Sequence, residues 1–355
     1  MKKFWIIGVA LLTLVSFFMT GCDSDGDGGG SSSSSGSIDC NCEDKPIIED
    51  DGLVFTFEKR IIKKPSNVSV FFKVETDTGE PVPNLVAEDF KIFENDSQIS
   101  SFESQQAIMP KPEDFSHHTL LVLDLSGSVL GSESLTKLKN AAQGFITAVT
   151  DASVNNDIYL SVKWFDGAAR LHSLVDFTNK SEKLIAGIDS ISEDISNDPS
   201  TNLYGAIIEG IDIVEKITNT PDAVNSGAVV IFTDGKDQAS RKTRDEAFDA
   251  VMDAEDHIKI YTIGLGGEID ETVLKSVGKD GFAFASDFAE LVPKFKEIAV
   301  QINKEVNSHY LLEYCSPKRN GEHTLKIEVE DGEQSGSLTT CFCAGGFEGG
   351  CEISE

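Results

Sequence analysis

Basic side chains are scarce in this 355-residue sequence, in which 30 lysines and arginines stand against 60 aspartates and glutamates, for a formal net charge of −30. A nucleic-acid partner needs a basic face for its phosphate backbone, so this balance argues against one. The hydrophobic fraction of 40% nevertheless suits a folded protein and argues against general disorder. The length suits one large domain or two ordinary ones.

The first residues, MKKFWIIGVALLTLVSFFMTGC, are typical of an export signal, with two lysines, an apolar stretch and small residues in that order. The apolar stretch is short for a membrane-spanning helix, which needs about 20 residues. The sequence MTGC that ends at Cys22 resembles the lipobox of bacterial lipoproteins, whose cysteine is acylated and becomes the mature amino terminus. The resemblance implies a signal peptide over residues 1–21, a lipid anchor at Cys22, and a place in the bacterial cell envelope, on the periplasmic face of a membrane or at the cell surface. An ordinary signal peptide or anchor helix is the alternative.

Residues 22–39 are rich in glycine, serine and aspartate, a composition that cannot bury apolar surface and predicts a flexible acidic tether. Alternating aspartates from Asp23 onward begin like a calcium loop. However, Ser34 stands at the twelfth position, where that loop requires a bidentate glutamate. The segment is therefore predicted to be a spacer and not a calcium site.

Besides Cys22, the sequence contains an even number of cysteines, which suggests disulfides in an exported chain. A Cys-x-Cys pair lies near each end of the folded region, and these pairs could clamp the two ends of the chain together. A zinc cluster is the alternative, but it would favour Cys-x-x-Cys spacings and nearby histidines. The disulfide candidates are Cys40, Cys42, Cys315, Cys341, Cys343 and Cys351.

The middle of the sequence alternates apolar runs with helical patterns. Several runs, such as TLLVLDL at residues 119–125, are apolar throughout, as in strands buried on both faces. This alternation predicts a doubly wound α/β domain over residues 117–307, with a mostly parallel sheet and helices on both faces. Predicted strands cover residues 119–125, 158–165, 168–174, 227–234 and 258–266, and predicted helices cover 132–149, 202–217, 244–257 and 287–306.

The two flanks, residues 40–116 and 308–355, show short alternating strands broken by turn clusters, without a helix pattern. This style is typical of an antiparallel β-sandwich. Because chain termini often lie close together, one sandwich could be built from both flanks with the α/β domain inserted. Two separate β units are the competing arrangement.

Side chains with hard oxygen atoms stand where two predicted strands end. Asp124, Ser126 and Ser128 follow the first strand, and Asp234 ends the strand 227–234. Ligands of open parallel sheets gather at this edge. The sequence there has no Gly-rich phosphate loop, no complete nucleophile elbow and no histidine for a Ser-His-Asp triad, and His172 is the nearest miss. Two carboxylates with hydroxyls form the kind of donor set that Mg²⁺ prefers.

A metal site at this edge requires a bend in the chain. Oxygens that share one Mg²⁺ ion lie within about 4 Å of each other, whereas a straight strand would place the alpha carbons of residues 124 and 128 about 13 Å apart. The segment must therefore curl as it leaves the sheet, and Gly127 would make the curl inexpensive. In the alternative interpretation, Ser126 and Ser128 only cap the next helix.

These residues resemble the metal-ion-dependent adhesion site (MIDAS) of the von Willebrand factor type A domain family. Asp124, Ser126 and Ser128 match its Asp-x-Ser-x-Ser motif, Thr201 in STNLYGAI matches its distant threonine, and Asp234 in VVIFTDGKD matches its distant aspartate. The resemblance covers residues 117–307 and implies that these five residues are metal ligands. Pro199-Ser200 stands where the family commonly has Gly-Gly. More weakly, the flanks resemble segments beside this domain in bacterial relatives.

In the family, a Mg²⁺ ion keeps one coordination position open, and an aspartate or glutamate of a partner protein fills it. The resemblance therefore implies a membrane-anchored adhesion or scaffold module and not an enzyme, with Mn²⁺ or Ca²⁺ as other possible ions. In many members the last helix, here 287–306, shifts when the site is occupied. The alternatives are an envelope protein whose metal only stabilises the fold and a metal-dependent hydrolase. Asp166 and Asp237 either support the site or are solvated loop acids. The partner's identity and the oligomeric state do not follow from the sequence.

Overall fold

The computed structural model describes residues 40, 42–43, 45–100, 106–110, 115–151, 157–220, 224–351 and 353. The predicted signal peptide, the lipid site at Cys22 and the tether all lie outside these residues. Cys40–Glu355 make up one unit. Within its described residues, no helix combines the length and the apolar character needed to cross a membrane.

The elements fall into two groups, an α/β domain and the β-strands of the flanks. The strands are β1 (Ile47–Asp51), β2 (Leu53–Lys63), β3 (Asn67–Thr76), β4 (Phe90–Glu94), β5 (Ser97–Gln98), β6 (Ala107–Pro110), β7 (Phe115–Asp124), β8 (Ile158–Phe165), β9 (His172–Thr178), β10 (Val224–Thr233), β11 (Ile258–Leu265), β12 (Gly281–Ala285), β13 (His309–Cys315), β14 (Glu322–Asp331) and β15 (Gln334–Cys343). The helices are α1 (Ser132–Thr150), α2 (Ser181–Asp189), α3 (Leu203–Thr218), α4 (Arg244–Asp253), α5 (Glu271–Val277) and α6 (Leu291–Val306).

The α/β domain is built on a six-stranded sheet in the order β12-β11-β10-β7-β8-β9. Every neighbouring pair is parallel except β8 and β9, which are antiparallel. Residues 120–123 of the central strand β7 are all apolar because successive side chains enter different cores. Leu121 and Leu123 pack with α1, α2 and α6 on one face, while Leu120 and Val122 pack with α3, α4 and α5 on the other. The predicted doubly wound fold is confirmed.

Element boundaries differ from the predictions at several places; β7 and β10, for example, begin at Phe115 and Val224, and α4 ends at Asp253 and not at residue 257. The strand predicted at residues 168–174 begins only at His172, because residues 166–170 form a bend. The last helix begins at Leu291 and not at residue 287, after a 3-10 turn at Phe288–Glu290. Pro293 then lies in the first helical turn, where a missing N–H costs no hydrogen bond. The short elements α2, α5 and β12 had no sequence prediction.

The flanking strands form two antiparallel sheets that pack on a shared apolar core. One sheet has the order β2-β3-β13-β6 and the other has the order β1-β15-β14-β4-β5. Each sheet therefore contains strands from before and after the α/β domain. This pairing is that of one sandwich with the α/β domain inserted, and not that of two separate β units.

Three disulfides connect the six cysteines of the described unit. Cys40 pairs with Cys343 and Cys42 pairs with Cys341, across 303 and 299 residues of sequence, and these two bonds are called the clamp below. The third bond joins Cys315 to Cys351. The predicted disulfides are confirmed, and these pairings leave no thiolates of the six for the alternative zinc cluster.

The sandwich packs against the amino edge of the six-stranded sheet. Phe115, the first residue of β7, contacts Phe71 of β3 and His309 of β13, with ring centroids 5.8 and 5.0 Å apart. Phe71 and Leu311 also belong to the apolar core of the α/β domain. The carboxyl edge of the sheet therefore faces away from the sandwich.

His309 at this junction makes folding depend on pH. Burial, together with the nearby Lys73 ammonium, lowers the pKa of His309 to about 3. The unfolded chain binds a proton at this histidine below about pH 6.5 and the folded chain does not, so the contribution of His309 to stability is lost as pH falls from about 6.5 towards 3. We expect wild type to lose about 1.4 kcal/mol more per pH unit in this window than His309→Phe. Urea unfolding at several pH values measures the difference, and parallel slopes for the two proteins would contradict it.

Candidate functional site

The polar residues singled out in the sequence meet at the carboxyl edge of the six-stranded sheet. Asp124 is the last residue of β7, and Asp234 directly follows β10. These two strands are parallel neighbours, so both residues leave the sheet side by side. Thr201 lies two residues before α3, in the loop that follows α2.

The chain curls after β7, as predicted from the distances between ligands of one Mg²⁺ ion. The Ser126 amide donates to Asp124 Oδ1 at 2.9 Å, and the amides of Val129 and Leu130 both donate to the Ser126 carbonyl. The Ser126 and Ser128 hydroxyls consequently lie 3.5 Å apart. Their oxygens therefore lie within the roughly 4 Å that ligands of one Mg²⁺ ion require.

Gly127 is needed here for a different reason from the one inferred from the sequence. It is absent from the residues with positive φ, so the curl does not require a left-handed conformation. Its amide instead donates to the Pro199 carbonyl at 3.0 Å, and a Cβ on Gly127 would lie 3.0 Å from the Pro199 Cβ. Glycine thus permits the close approach of the loop that carries Thr201, with Pro199 in the place of the family's usual glycine.

Asp234 closes the other side of the cluster. The Ser128 hydroxyl donates to Asp234 Oδ1 at 3.0 Å. Thr233, which the sequence reasoning missed, donates to Asp124 Oδ2 at 2.6 Å, and its oxygen accepts from the Gly235 amide. The only sequence signal for Thr233 was a hydroxyl residue immediately before the aspartate at a strand exit.

Thr201 belongs to the same cluster. It is buried, and its carbonyl accepts from the amides of Gln238 and Ala239 in the loop after Asp234. Its hydroxyl oxygen lies 3.8 Å from the position that a Cβ on Gly235 would occupy. The five predicted residues thus come together from three separate loops.

Asp237 and Asp166 order the loops around this cluster. Asp237 accepts from the amide of Tyr204 at the start of α3 and from the amide of Ser240. Asp166 is buried and accepts from the Ala168 amide and the Ser196 hydroxyl, while its carbonyl accepts from the Asn202 amide. Both aspartates therefore support the segment on either side of Thr201, and neither is a solvated loop acid.

His172 is structural in this arrangement. Its ring stacks on Trp164 with centroids 3.9 Å apart, and its Nε2 lies 3.3 Å from Asp166 Oδ1. Within the described part of the chain, no contact joins His172 to the five clustered residues. The geometry therefore offers no Ser-His-Asp triad with His172.

The electrostatics of the cluster favour a cation. Burial and the neighbouring charge of Asp234 raise the pKa of Asp124 to about 6, against the hydrogen bonds from Thr233 and Ser126 that lower it. Burial and the charge of Glu268 also raise the pKa of Asp234. A positive ion bound between these two carboxyl groups would stabilise their ionised forms and offset the effects that raise their pKa values.

The donor set fits a divalent ion that prefers oxygen. Two carboxylates and three hydroxyls are hard ligands. The Ser128 hydroxyl lies 3.0 Å from Asp234 Oδ1 and 3.5 Å from the Ser126 hydroxyl, and both separations suit a shared Mg²⁺. Across the described residues, histidine, cysteine, aspartate and glutamate side chains nowhere gather in groups of three or more suited to a metal. The cluster described here differs from such groups because three of its five members contribute hydroxyls.

Solved structures with similar folds come from several organisms. A byssus matrix protein of the mussel, described with a zinc-occupied MIDAS motif, is 16% identical over 54% of this chain and 48% of its own, with a TM-score of 0.44. A von Willebrand factor type A protein from Catenulispora acidiphila is 10% identical over 82% and 74%, with a TM-score of 0.45. The same domain of the pilus tip protein Mfa5 from Porphyromonas gingivalis is 14% identical over 54% and 96%, with a TM-score of 0.42. This chain spans about half the length of the mussel proteins.

None of the curated proteins compared with this sequence matches it. The match to a family is direct: residues 120–303, just over half of the chain, match the von Willebrand factor type A domain. This segment runs from the second half of β7 to residue 303 of α6 and contains all the α/β elements between them, together with the five clustered residues. The chain belongs to the von Willebrand factor type A domain family.

Proposed function

We propose that this protein is a membrane-anchored, Mg²⁺-dependent protein-binding module for adhesion or scaffolding. The metal would be held by Asp124, Ser126, Ser128, Thr201 and Asp234, and an aspartate or glutamate of a partner protein would complete its coordination. The anchor would be a lipid on Cys22, which places the module in the bacterial cell envelope. No turnover is proposed, because the acidic groups of the cluster are themselves the ligands.

The observation that carries the proposal is the approach of the Ser128 hydroxyl to both Ser126 and Asp234 within 3.5 Å, with Thr201 placed beside Gly235 on a third loop. Their burial is graded: Asp124 is fully buried, Asp234 is half-buried and Ser128 is exposed. The cluster is thus open to solvent on the side of Ser128, where a partner's carboxylate can arrive. A bound Mg²⁺ would supply an electrophile for that carboxylate.

The chain's own residues prepare this arrangement. Thr233 and the Ser126 amide hold both oxygens of Asp124 in fixed directions, and Ser128 and Asp234 hold each other at the mouth. The carboxyl edge also faces away from the sandwich, which carries Cys40 at the beginning of the described chain. This placement supports a module that offers its binding edge away from an anchor at Cys22.

Calorimetric titration of the Cys40–Glu355 fragment with Mg²⁺ and Mn²⁺ tests the proposal. We expect one-to-one binding with a Kd no tighter than about 10⁻⁴ M, as in weak extracellular metal modules. Ser128→Ala should weaken binding at least about tenfold because it removes a ligand oxygen. The matched control is Ser276→Ala on α5. Among the described residues, the Ser276 hydroxyl donates only to the Thr272 carbonyl of the same helix.

Two outcomes would overturn the metal site: no heat at millimolar metal, or equal affinities for wild type and Ser128→Ala. A pull-down from envelope proteins with and without chelator then tests the partner. Metal binding that raises the melting temperature, with no partner captured in either condition, would favour the structural-metal alternative.

A further inference from the structure

We propose that the cleft between the sandwich and the α/β domain binds a small organic polyamine, a flexible ligand that carries two or more ammonium groups. The cleft, called the junction cleft below, has a volume of about 920 Å³, and its walls come from β2 and β3 of the sandwich and from β11 and α6 of the α/β domain. Sites for small molecules commonly have volumes of this order. The junction cleft lies at the amino edge of the six-stranded sheet, so the proposal goes beyond the metal site at the carboxyl edge and does not depend on it.

Tyr261 of β11 brings an unpartnered hydroxyl to the junction cleft. The residue is only 3% exposed, its ring belongs to the apolar core of the α/β domain, and its hydroxyl makes no hydrogen bond to any described residue. Tyr261 lines the cleft together with Glu305 and Asp280. Burial, followed by the charges of these two carboxylates, raises the pKa of Tyr261 well above its ordinary value, so the hydroxyl remains protonated. Because buried polar groups normally have partners, this hydroxyl is free to bond to a ligand in the cleft.

Glu58 of β2 brings an unpartnered carboxylate to the opposite wall. It is the extra residue of a β-bulge, because its neighbours Phe57 and Lys59 pair with two consecutive residues of β3. Bulges redirect side chains and are common beside functional sites. The Glu58 carboxylate is half-buried and makes no hydrogen bond or ion pair with the described residues. Burial raises its pKa to about 6, against the opposing charge of Lys73. A cation bound beside Glu58 would stabilise the ionised form of this carboxyl group.

Lys73 does not supply the missing partner of Glu58. Its ammonium group lies 2.5 Å from Glu75 Oε1 and 2.6 Å from Glu305 Oε1, so it already serves two carboxylates. The described lining of the cleft has an acidic surplus at both depths. Its buried and half-buried charges are four carboxyls and two lysines, and its exposed charges are three carboxyls and two lysines. Burial lowers the pKa of both histidines in the lining, so they do not reverse this balance.

The unpartnered groups of the junction cleft suit N–H donors at two points. One ammonium group can bind the Glu58 carboxylate on the sandwich wall, and a second can donate to the Tyr261 oxygen near the charge of Glu305 on the α/β wall. A metal ion is a poorer match, because the described residues contain no group of three or more acidic, histidine or cysteine side chains suited to a metal. An aliphatic chain between two ammonium groups meets both requirements, and its binding would connect the sandwich to the α/β domain.

Calorimetric titration of the Cys40–Glu355 fragment with spermidine, at physiological salt and with chelator present, tests the proposal. We expect saturable one-to-one binding. Glu58→Gln should weaken it about 30-fold or more, because the charged partner of one ammonium group is lost. Tyr261→Phe removes only the hydroxyl and should weaken binding about tenfold. The matched control is Glu182→Gln on α2, which removes the same charge as Glu58→Gln from an exposed position and should leave the affinity unchanged.

Two results would overturn the polyamine site: no saturable binding of spermidine to wild type, or equal affinities for Glu58→Gln and Glu182→Gln. Spermidine binding that is lost in Ser128→Ala would assign the polyamine to the metal site, and Mg²⁺ binding that is lost in Glu58→Gln would assign the junction cleft to a metal ion. Either of these would overturn it as well. The proposed function is tested separately, because spermidine binding can persist in Ser128→Ala and Mg²⁺ binding can persist in Glu58→Gln.

Discussion

Asp124→Asn is expected to make the metal-free protein more stable and, at the same time, unable to hold the metal. The Asp124 carboxylate is fully buried next to the charge of Asp234, and together burial and that charge raise its pKa to about 6 from an ordinary 3.8. Ionised Asp124 therefore costs the folded state on the order of 3 kcal/mol at neutral pH. An asparagine of the same shape removes this cost.

The raised pKa of Asp124 determines the pH range in which Asp124→Asn stabilises the protein. A carboxyl group with a raised folded pKa binds its proton more tightly in the folded state, so its stabilising contribution is present below about pH 4 and is lost as pH rises through about 6. The gain from Asp124→Asn should accordingly be absent at pH 4 and complete above pH 6. The side-chain amide of the new asparagine can be accommodated at this position. Its NH₂ group would donate to the Thr233 hydroxyl, and that hydroxyl would then donate its own hydrogen to the Gly235 carbonyl, 3.3 Å away.

Urea unfolding with chelator and with Mg²⁺ measures both effects. At a metal concentration of 100 times Kd, wild type should gain about 2.7 kcal/mol from metal and the variant none. Asp166→Asn is the matched control. Asp166 is an aspartate at the same edge and is buried to a similar extent, but none of its hydrogen-bond partners among the described residues is a carboxylate. A loss of stability for Asp124→Asn in chelator would contradict the argument.

Removing both disulfides of the clamp should cost far more than removing either one. The clamp joins segments about 300 residues apart, and closing a loop of that size restricts the unfolded chain by about 5–6 kcal/mol. Once one bond is present, the second closes only a loop of a few residues and adds about 2 kcal/mol. We therefore expect each cysteine pair replaced alone by serine to cost about 2 kcal/mol, and both pairs about 8 kcal/mol.

The structure gives a reason for this clamp. Strand β1 is an edge strand that pairs only with β15 among described strands, and four of its five residues are exposed. Little apolar burial therefore holds it in place. Chemical denaturation of the single and double pair variants measures the coupling, with the Cys315–Cys351 pair as a control whose loss should simply add to the others. Strict additivity of the two clamp bonds would refute the shared-loop explanation.

Much of the α/β domain could be predicted because its strands and helices carry local signals. Residues 120–123 of β7 are apolar at every position since they feed two cores, and the α1 residues predicted at helical spacing, such as Leu138 and Phe145, are fully buried. Asp124, Ser126, Ser128 and Asp234 could be found because they stand where predicted strands end, and Thr201 because STNLYGAI matches the family motif. The elements that escaped prediction are short: α5 has seven residues and β12 has five, too few for a periodic pattern.

Other features of the site depend on contacts between distant segments. Thr233 looks like an ordinary β-branched strand residue until the register of β7 against β10 places it beside Asp124. Gly127 likewise has a visible role only when Pro199 approaches it. The sharing of both antiparallel sheets between the flanks, and the pairing of the cysteines, also follow from tertiary structure, because short alternating strands do not specify their partners.

The clamp also determines how the molecule carries mechanical load. When the segment before Cys40 is pulled against a partner held at the carboxyl edge, tension can follow two covalent routes into the α/β domain. One runs from Cys40 to Phe115 through 75 residues, and the other crosses to Cys343 and returns to His309 through only 34. With the clamp closed, the shorter covalent route runs through β15, β14 and β13 to the carboxyl end of α6, and we expect it to bear more of the load than the route through β1 and the strands that follow it.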